Sequence, residues 1–192
     1  IIIGTNNAGK YKEICDLLPK KLKKYSANEL NIQSPKETGK SFEENSLIKA
    51  SYYSKKTNLV CLSDDSGLEI NLLNGEPGIF SSRWGGEEKN FNLAMKKVFL
   101  EMKKKKNDWL NYNEARFICC LTIFWPSGEN FTSKGIVDGK ISEKIKGNKG
   151  FGYDPIFIPN GHSKTFGEME PNLKMSMDHR NEAFLKIKKF FD

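Results

Sequence analysis

The opening run Ile1-Ile2-Ile3-Gly4-Thr5-Asn6-Asn7-Ala8-Gly9-Lys10-Tyr11, continued by Lys12-Glu13-Ile14-Cys15-Asp16-Leu17-Leu18, decides the fold class. Three β-branched residues pass through Gly4 into a polar loop, after which Ile14, Leu17 and Leu18 recur at helical spacing. Strand, loop and helix in that order form the repeating unit of α/β proteins. Downstream, residues 41–56 read as a second helix, opened by Ser41-Phe42-Glu43-Glu44 with the spacing of a capping box. Residues 59–62 read as a buried strand, Asp64-Asp65-Ser66-Gly67 as a turn, and residues 68–73 as a further strand. A helix is expected over 91–102 and a hairpin over 114–125 and 130–137, joined by Pro126-Ser127-Gly128-Glu129. A short strand at 156–158 and a closing helix over 178–191 complete the pattern. The mixture of βα units with a long hairpin predicts an α/β protein with a mixed sheet, in a single domain over residues 1–192.

Composition narrows the function classes. Hydrophobic residues make up 38% of the 192 and charged residues 29%, which suits a globular domain. The longest apolar stretch, residues 117–125, is strand-sized and well short of the roughly 20 residues a membrane-spanning helix needs. A net charge of +7 invites a nucleic-acid polymer as partner, but nearly all of the positive charge is Lys, with Arg only at Arg83, Arg116 and Arg180. Base-edge readers rely on the bidentate Arg fork, so no polymer is expected. Lys103 to Lys106 close a helix, where cations meet the negative end of its dipole. The four cysteines, Cys15, Cys61, Cys119 and Cys120, form no C-x-x-C pair and read as reduced structural residues. No signal-peptide pattern opens the chain, and the cytoplasm is the expected compartment.

Gly4 to Tyr11 nearly spells the phosphate-cradling G-x-x-x-x-G-K-[ST], failing at Tyr11, which stands where a Mg²⁺-binding hydroxyl belongs. The physics survives: the loop offers backbone N–H groups and the positive end of a helix, and Lys10 adds a full charge, so a polyphosphate fits Thr5, Asn6, Asn7, Ala8, Gly9 and Lys10. Its Mg²⁺ then needs one or two carboxylates from elsewhere. Asp64 and Asp65 follow a buried strand, where open α/β sheets place ligands, though an Asx turn with solvated acids has the same composition. Glu44 is either a capping residue alone or a metal ligand as well. In Gly150-Phe151-Gly152-Tyr153-Asp154-Pro155 the two rings either stack on a base or pack in the core. Lys174 and the pair His179-Arg180 carry donors for a base or phosphate.

Together these segments resemble the inosine triphosphate pyrophosphatase family, enzymes that clear deaminated purine nucleotides. The matching pieces run in order along the chain: Thr5-x-Asn7-x-x-Lys10, Ser41-Phe42-x-Glu44-Asn45, Asp64-Asp65-Ser66-Gly67-Leu68, Pro77-Gly78-Ile79-Phe80-Ser81-Ser82-Arg83, Gly150 to Pro155, and His179-Arg180. The resemblance implies an elongated mixed sheet flanked by helices, two lobes with the active site in the cleft between them, and a homodimer. It implies that Thr5 to Lys10 cradle the triphosphate, that Glu44 and Asp65 hold Mg²⁺, and that Ser66 touches substrate. Phe151, Gly152, Tyr153, Asp154, Lys174, His179 and Arg180 are implied to form the nucleotide pocket, with Arg180 donating to the base. The implied reaction is attack of water, activated by Asp65, on the α-phosphorus of inosine, deoxyinosine or xanthosine triphosphate, with Lys10 and Mg²⁺ neutralising phosphate charge. A modified pyrimidine nucleotide is the alternative substrate, and a sensor that binds without turnover the alternative role. Asp178 stands before His179-Arg180, where it either caps the last helix or accepts a hydrogen bond from a purine 2-amine.

Overall fold

A computed structural model describes residues 1–192. Six strands, β1 (Ile2–Ile3), β2 (Tyr25–Ser26), β3 (Cys61–Ile70), β4 (Glu114–Phe124), β5 (Asn130–Ile141) and β6 (Phe157–Pro159), form one sheet in the order β2-β1-β3-β4-β5-β6. β1 pairs parallel with both β2 and β3, through Ile2↔Tyr25 and Ile2↔Cys61, whereas β5 and β6 pair antiparallel. The sheet is therefore mixed, as the sequence predicts. Five helices accompany it: α1 (Ala8–Leu17), α2 (Phe42–Thr57), α3 (Phe91–Lys105), α4 (Pro171–Met177) and α5 (His179–Leu185). None is long and apolar enough to cross a membrane.

The helix ends follow from side-chain chemistry. Asn7 caps α1 by accepting from the Lys10 N–H, so the helix starts at Ala8, well before Ile14, the first of the apolar residues at helical spacing. Ser41 caps α2 by accepting from the Glu44 N–H at 3.1 Å, with Glu43 and Glu44 in the first turn and Lys55 and Lys56 in the last, both favourable to the dipole. Lys103, Lys104 and Lys105 fill the last turn of α3 in the same way. The closing helix expected over 178–191 is shorter: α5 ends at Leu185, and Lys188–Phe190 form a separate 3₁₀ turn. Asp178, with extended backbone (φ −79°, ψ 165°), separates α5 from α4 before it.

Residues 64–67 form no turn, contrary to their composition; β3 runs through them unbroken from Cys61 to Ile70. Asp, Ser and Gly favour turns when the chain decides alone, but here Asp64 and Asp65 are buried and their charges are met by distant cations.

The chain divides into two compact units. The first comprises Ile1–Asp65, Cys119–Gly135 and His179–Asp192. Its apolar interior has one cluster around Ile3, Ile14, Leu62, Leu121 and Phe184, and another around Ile2, Ala50 and Tyr53. The second comprises Ser66–Ile118 and Ile136–Asp178, with a core around Leu68, Val98, Phe117, Tyr153, Phe157 and Phe166. All four cysteines are free thiols; Cys61, Cys119 and Cys120 are buried in β3 and β4, as expected of small hydrophobes.

Candidate active site

Consecutive residues on a strand point to opposite faces, and β3 uses this to give two adjacent aspartates different partners. Asp64 is completely buried, 3.2 Å from Lys10 Nζ and 3.1 Å from Arg180 Nη2, while Arg180 Nη1 also donates to Glu13. Asp65 accepts from Lys49 Nζ at 2.8 Å and from Asn45 Nδ2 at 3.3 Å. Lys49 reaches Glu37 as well, at 2.6 Å.

The two carboxyls titrate in opposite directions. Burial alone would raise Asp64, but Lys10, Arg180 and Lys49 overcome it and hold the group well below the usual carboxylate range. For Asp65 burial wins: it lifts the carboxyl above its ordinary value against the pull of Lys49 and Lys10. Lys49 is buried too, yet the charges of Asp65, Asp64 and Glu37 raise it above the usual lysine value. Asp64 thus stays ionised and anchors cations, and Asp65 is the better proton acceptor of the two.

The loop from Thr5 to Lys10, expected to cradle phosphate, lies in the first unit with these groups. Thr5 Oγ1 accepts from the Asn7 N–H at 3.1 Å, and Ala8, Gly9 and Lys10 form the first turn of α1, where N–H groups lack intrahelical acceptors. The Lys10 ammonium rests on Asp64. Glu44 behaves as a cap: its Oε2 accepts from the Lys40 N–H at 2.6 Å while its own N–H is held by Ser41. The carboxylate that joins Asp65 through a shared cation is Glu37.

In the second unit, Asp154 organises the glycine-rich loop by accepting from the Phe151 N–H at 2.9 Å and from Lys174 Nζ at 2.7 Å. Gly150 has φ +70°, and a Cβ there would fall 2.0 Å from Asp154 Oδ2, so the turn requires glycine on both counts. The Lys174 ammonium lies over the half-buried Phe151 ring, 5.2 Å from its centroid. Tyr153 belongs to the core, its ring edge-on to Phe91 and its hydroxyl donating to the Ser81 carbonyl. Gly152 precedes it in the same turn, with φ +67°. Ser66 is partly exposed on β3. His179 and Arg180 open α5 and are buried, and the Arg180 guanidinium, expected at the base, is engaged with Asp64 and Glu13.

Residues 1–190 match the profile of the Ham1 family. The chain belongs to the Ham1 family. It is 43% identical over 188 residues to a dITP/XTP pyrophosphatase of Caulobacter vibrioides, covering 98% of this chain and 95% of that one. A dITP/XTP pyrophosphatase of Rhodospirillum centenum is 39% identical, with 97% and 92% covered. Among solved structures, the Ham1 protein of Coxiella burnetii superposes with a TM-score of 0.88 at 31% identity, covering 98% of this chain and 96% of that one. That of Staphylococcus aureus gives 0.85 at 32%, with the same coverage. The resemblance carried by the scattered motifs therefore extends over almost the whole Ham1 chain. Sequence reasoning passed over two groups that gather at Asp65, Glu37 and Lys49. Lys49 had a visible signal, since Asn45-x-x-x-Lys49 places two polar side chains on one face of α2, and both reach Asp65. Glu37 lies outside any helix or strand and had none.

Proposed function

We propose that the chain hydrolyses deaminated purine nucleoside triphosphates, those of inosine, deoxyinosine and xanthosine, to the monophosphate and pyrophosphate. What supports this is the placing of Asp64 and Asp65 side by side on one strand: an anion paired with Lys10, beside a carboxyl held by Lys49 and Asn45 that burial makes the better proton acceptor. Lys10 and the first turn of α1 meet the phosphates, the ammonium neutralising charge that grows on the leaving group. Asp65, oriented by Asn45 and Lys49, accepts the proton of the water attacking the α-phosphorus.

A divalent cation, expected as Mg²⁺, fits these donors. Glu37 and Asp65 already converge on one positive centre, the Lys49 ammonium. No three His, Cys, Asp or Glu side chains gather, which suits Mg²⁺, a cation that takes one or two protein carboxylates and completes its shell with water and phosphate. When bound, it would add positive charge at the phosphates and lower the pKa of water. Glu37 and Asp65 are assigned to hold it, with Glu44 supporting the site as a helix cap.

Selection of the base falls to the second unit. The 6-oxo group of hypoxanthine or xanthine accepts a hydrogen bond where adenine presents an amine, and opposing donors strand a polar pair at about 1–3 kcal/mol. Lys174, held by Asp154 beside the Phe151 ring, is the donor this arrangement favours, with Phe151 stacking on the base. We also infer a homodimer acting on free nucleotides in the cytoplasm. Hydrolysis in ¹⁸O-labelled water tests the site of attack: label is expected in the monophosphate, and label in pyrophosphate or release of orthophosphate would overturn it.

A further inference from the structure

Asn6 sits in the middle of the phosphate loop, yet its carboxamide is fully engaged within the protein. Nδ2 donates to Asn28 Oδ1 at 2.8 Å and to the Ile32 carbonyl at 3.2 Å. Oδ1 accepts from Ser34 Oγ at 2.9 Å and from the Tyr53 hydroxyl at 2.5 Å. A primary amide has two N–H donors and an oxygen with two lone pairs, so the valence of this one is saturated. Its orientation is set, because the Ile32 carbonyl can only accept and must face the nitrogen. The anchors come from two places: Asn28, Ile32 and Ser34 belong to the segment after β2, whereas Tyr53 is a buried residue of α2. On either side of Asn6, Thr5 Oγ1 holds the Asn7 N–H and Asn7 caps the helix that carries Lys10.

We propose that Asn6 is a positioning residue: its side chain does not bind phosphate but locks the loop from Thr5 to Lys10 onto the Tyr53–Ser34–Asn28 network, fixing the backbone N–H groups and Lys10 for the triphosphate. This rests on the pyrophosphatase assignment above. A loop held in its bound form does not have to be ordered when the ligand arrives, and a substrate with clustered negative charge needs donors set in advance. Side-chain contact of Asn6 with substrate makes a different forecast, in which Tyr53 and Ser34 are silent.

The test uses Ser34→Ala and Tyr53→Phe, each removing one hydroxyl from the lock and touching no group assigned to substrate. In each, KM for inosine triphosphate and the inhibition constant of inorganic tripolyphosphate, a probe with no base, should rise together by roughly two- to tenfold, the value of one hydrogen bond. kcat should stay within about twofold, since a lock that sets ground-state binding of the phosphates alters KM first. Amide hydrogen exchange at Asn7 to Lys10 should quicken. Unchanged KM and inhibition constant in both variants, or a raised KM with an unchanged tripolyphosphate constant, overturn the proposal. If Tyr53→Phe, at a buried site, fails to fold, Ser34→Ala on the surface decides alone. If the natural protein neither releases pyrophosphate nor is inhibited by tripolyphosphate, the assigned activity has failed, and the lock is still judged by exchange: no acceleration in the variants overturns it.

Discussion

Asp64 and Asp65 are joined by a peptide bond and differ in almost everything else. Asp64 meets Lys10 and Arg180 and is held low, so it stays ionised throughout the working pH range. Asp65 is lifted by burial and only partly restrained by Lys49. Asp65→Asn keeps the shape and loses the base, so kcat/KM should fall by about 10²–10⁴-fold; turnover close to normal would move the role to another group. The pH dependence has a definite sign. A base must be ionised, so activity falls on the acid side as pH drops through the Asp65 pKa, which burial raises above the ordinary aspartate value before a cation binds. Removing the neighbouring cation with Lys49→Met makes ionisation harder still. The acid limb of the kcat/KM profile, measured at constant ionic strength, should therefore move to higher pH, and a limb that stays put or moves down would separate Lys49 from the base.

At the scale of elements, helices and hairpin were legible because they are local. The Ser41 cap and the Asn45 and Lys49 spacing on α2, and the Pro126 to Glu129 turn, are written in neighbouring residues. β3 was not legible at its centre. Asp64-Asp65-Ser66-Gly67 has turn composition, and what keeps it extended is pairing in the sheet and charges such as Arg180, 116 residues away in sequence. The same distance effect hid the place of Arg180, since nothing near it in sequence announces Asp64 or Glu13. α4 left a clue that was passed over, a proline at its first position after Glu170. One element contact sets the start of α5. Gly135 on β5 lies so close beneath it that a Cβ would fall 2.1 Å from the His179 carbonyl oxygen and 2.4 Å from the Ala183 nitrogen, and Ser133 Oγ donates to the Ala183 carbonyl beside it. Gly135→Ala must push this helix off the strand. A stability loss of about 1–3 kcal/mol is expected in urea unfolding, with catalysis impaired because His179 and Arg180 shift. Wild-type stability in that variant would show that the helix start is not held there.

On the scale of the whole molecule, the chemistry is divided as the chain is. Lys10, Glu37, Lys49, Asp64, Asp65 and Arg180 belong to the first compact unit, and Phe151, Asp154 and Lys174 to the second. We assign phosphate binding and proton transfer to Lys10 and Asp65, and recognition of the base to Lys174 and Phe151. The net charge of +7 is general attraction for anions and selects no base, so the proposed function needs hydrogen bonds to the base for discrimination. The most direct test is pyrophosphate release from inosine, xanthosine, guanosine and adenosine triphosphates at equal concentration, with Mg²⁺ and with excess chelator. Rapid release from the inosine and xanthosine nucleotides, at least about tenfold slower release from the adenosine nucleotide, and none in chelator are the predicted results. Equal rates on all four nucleotides, or no release from any, would contradict the account.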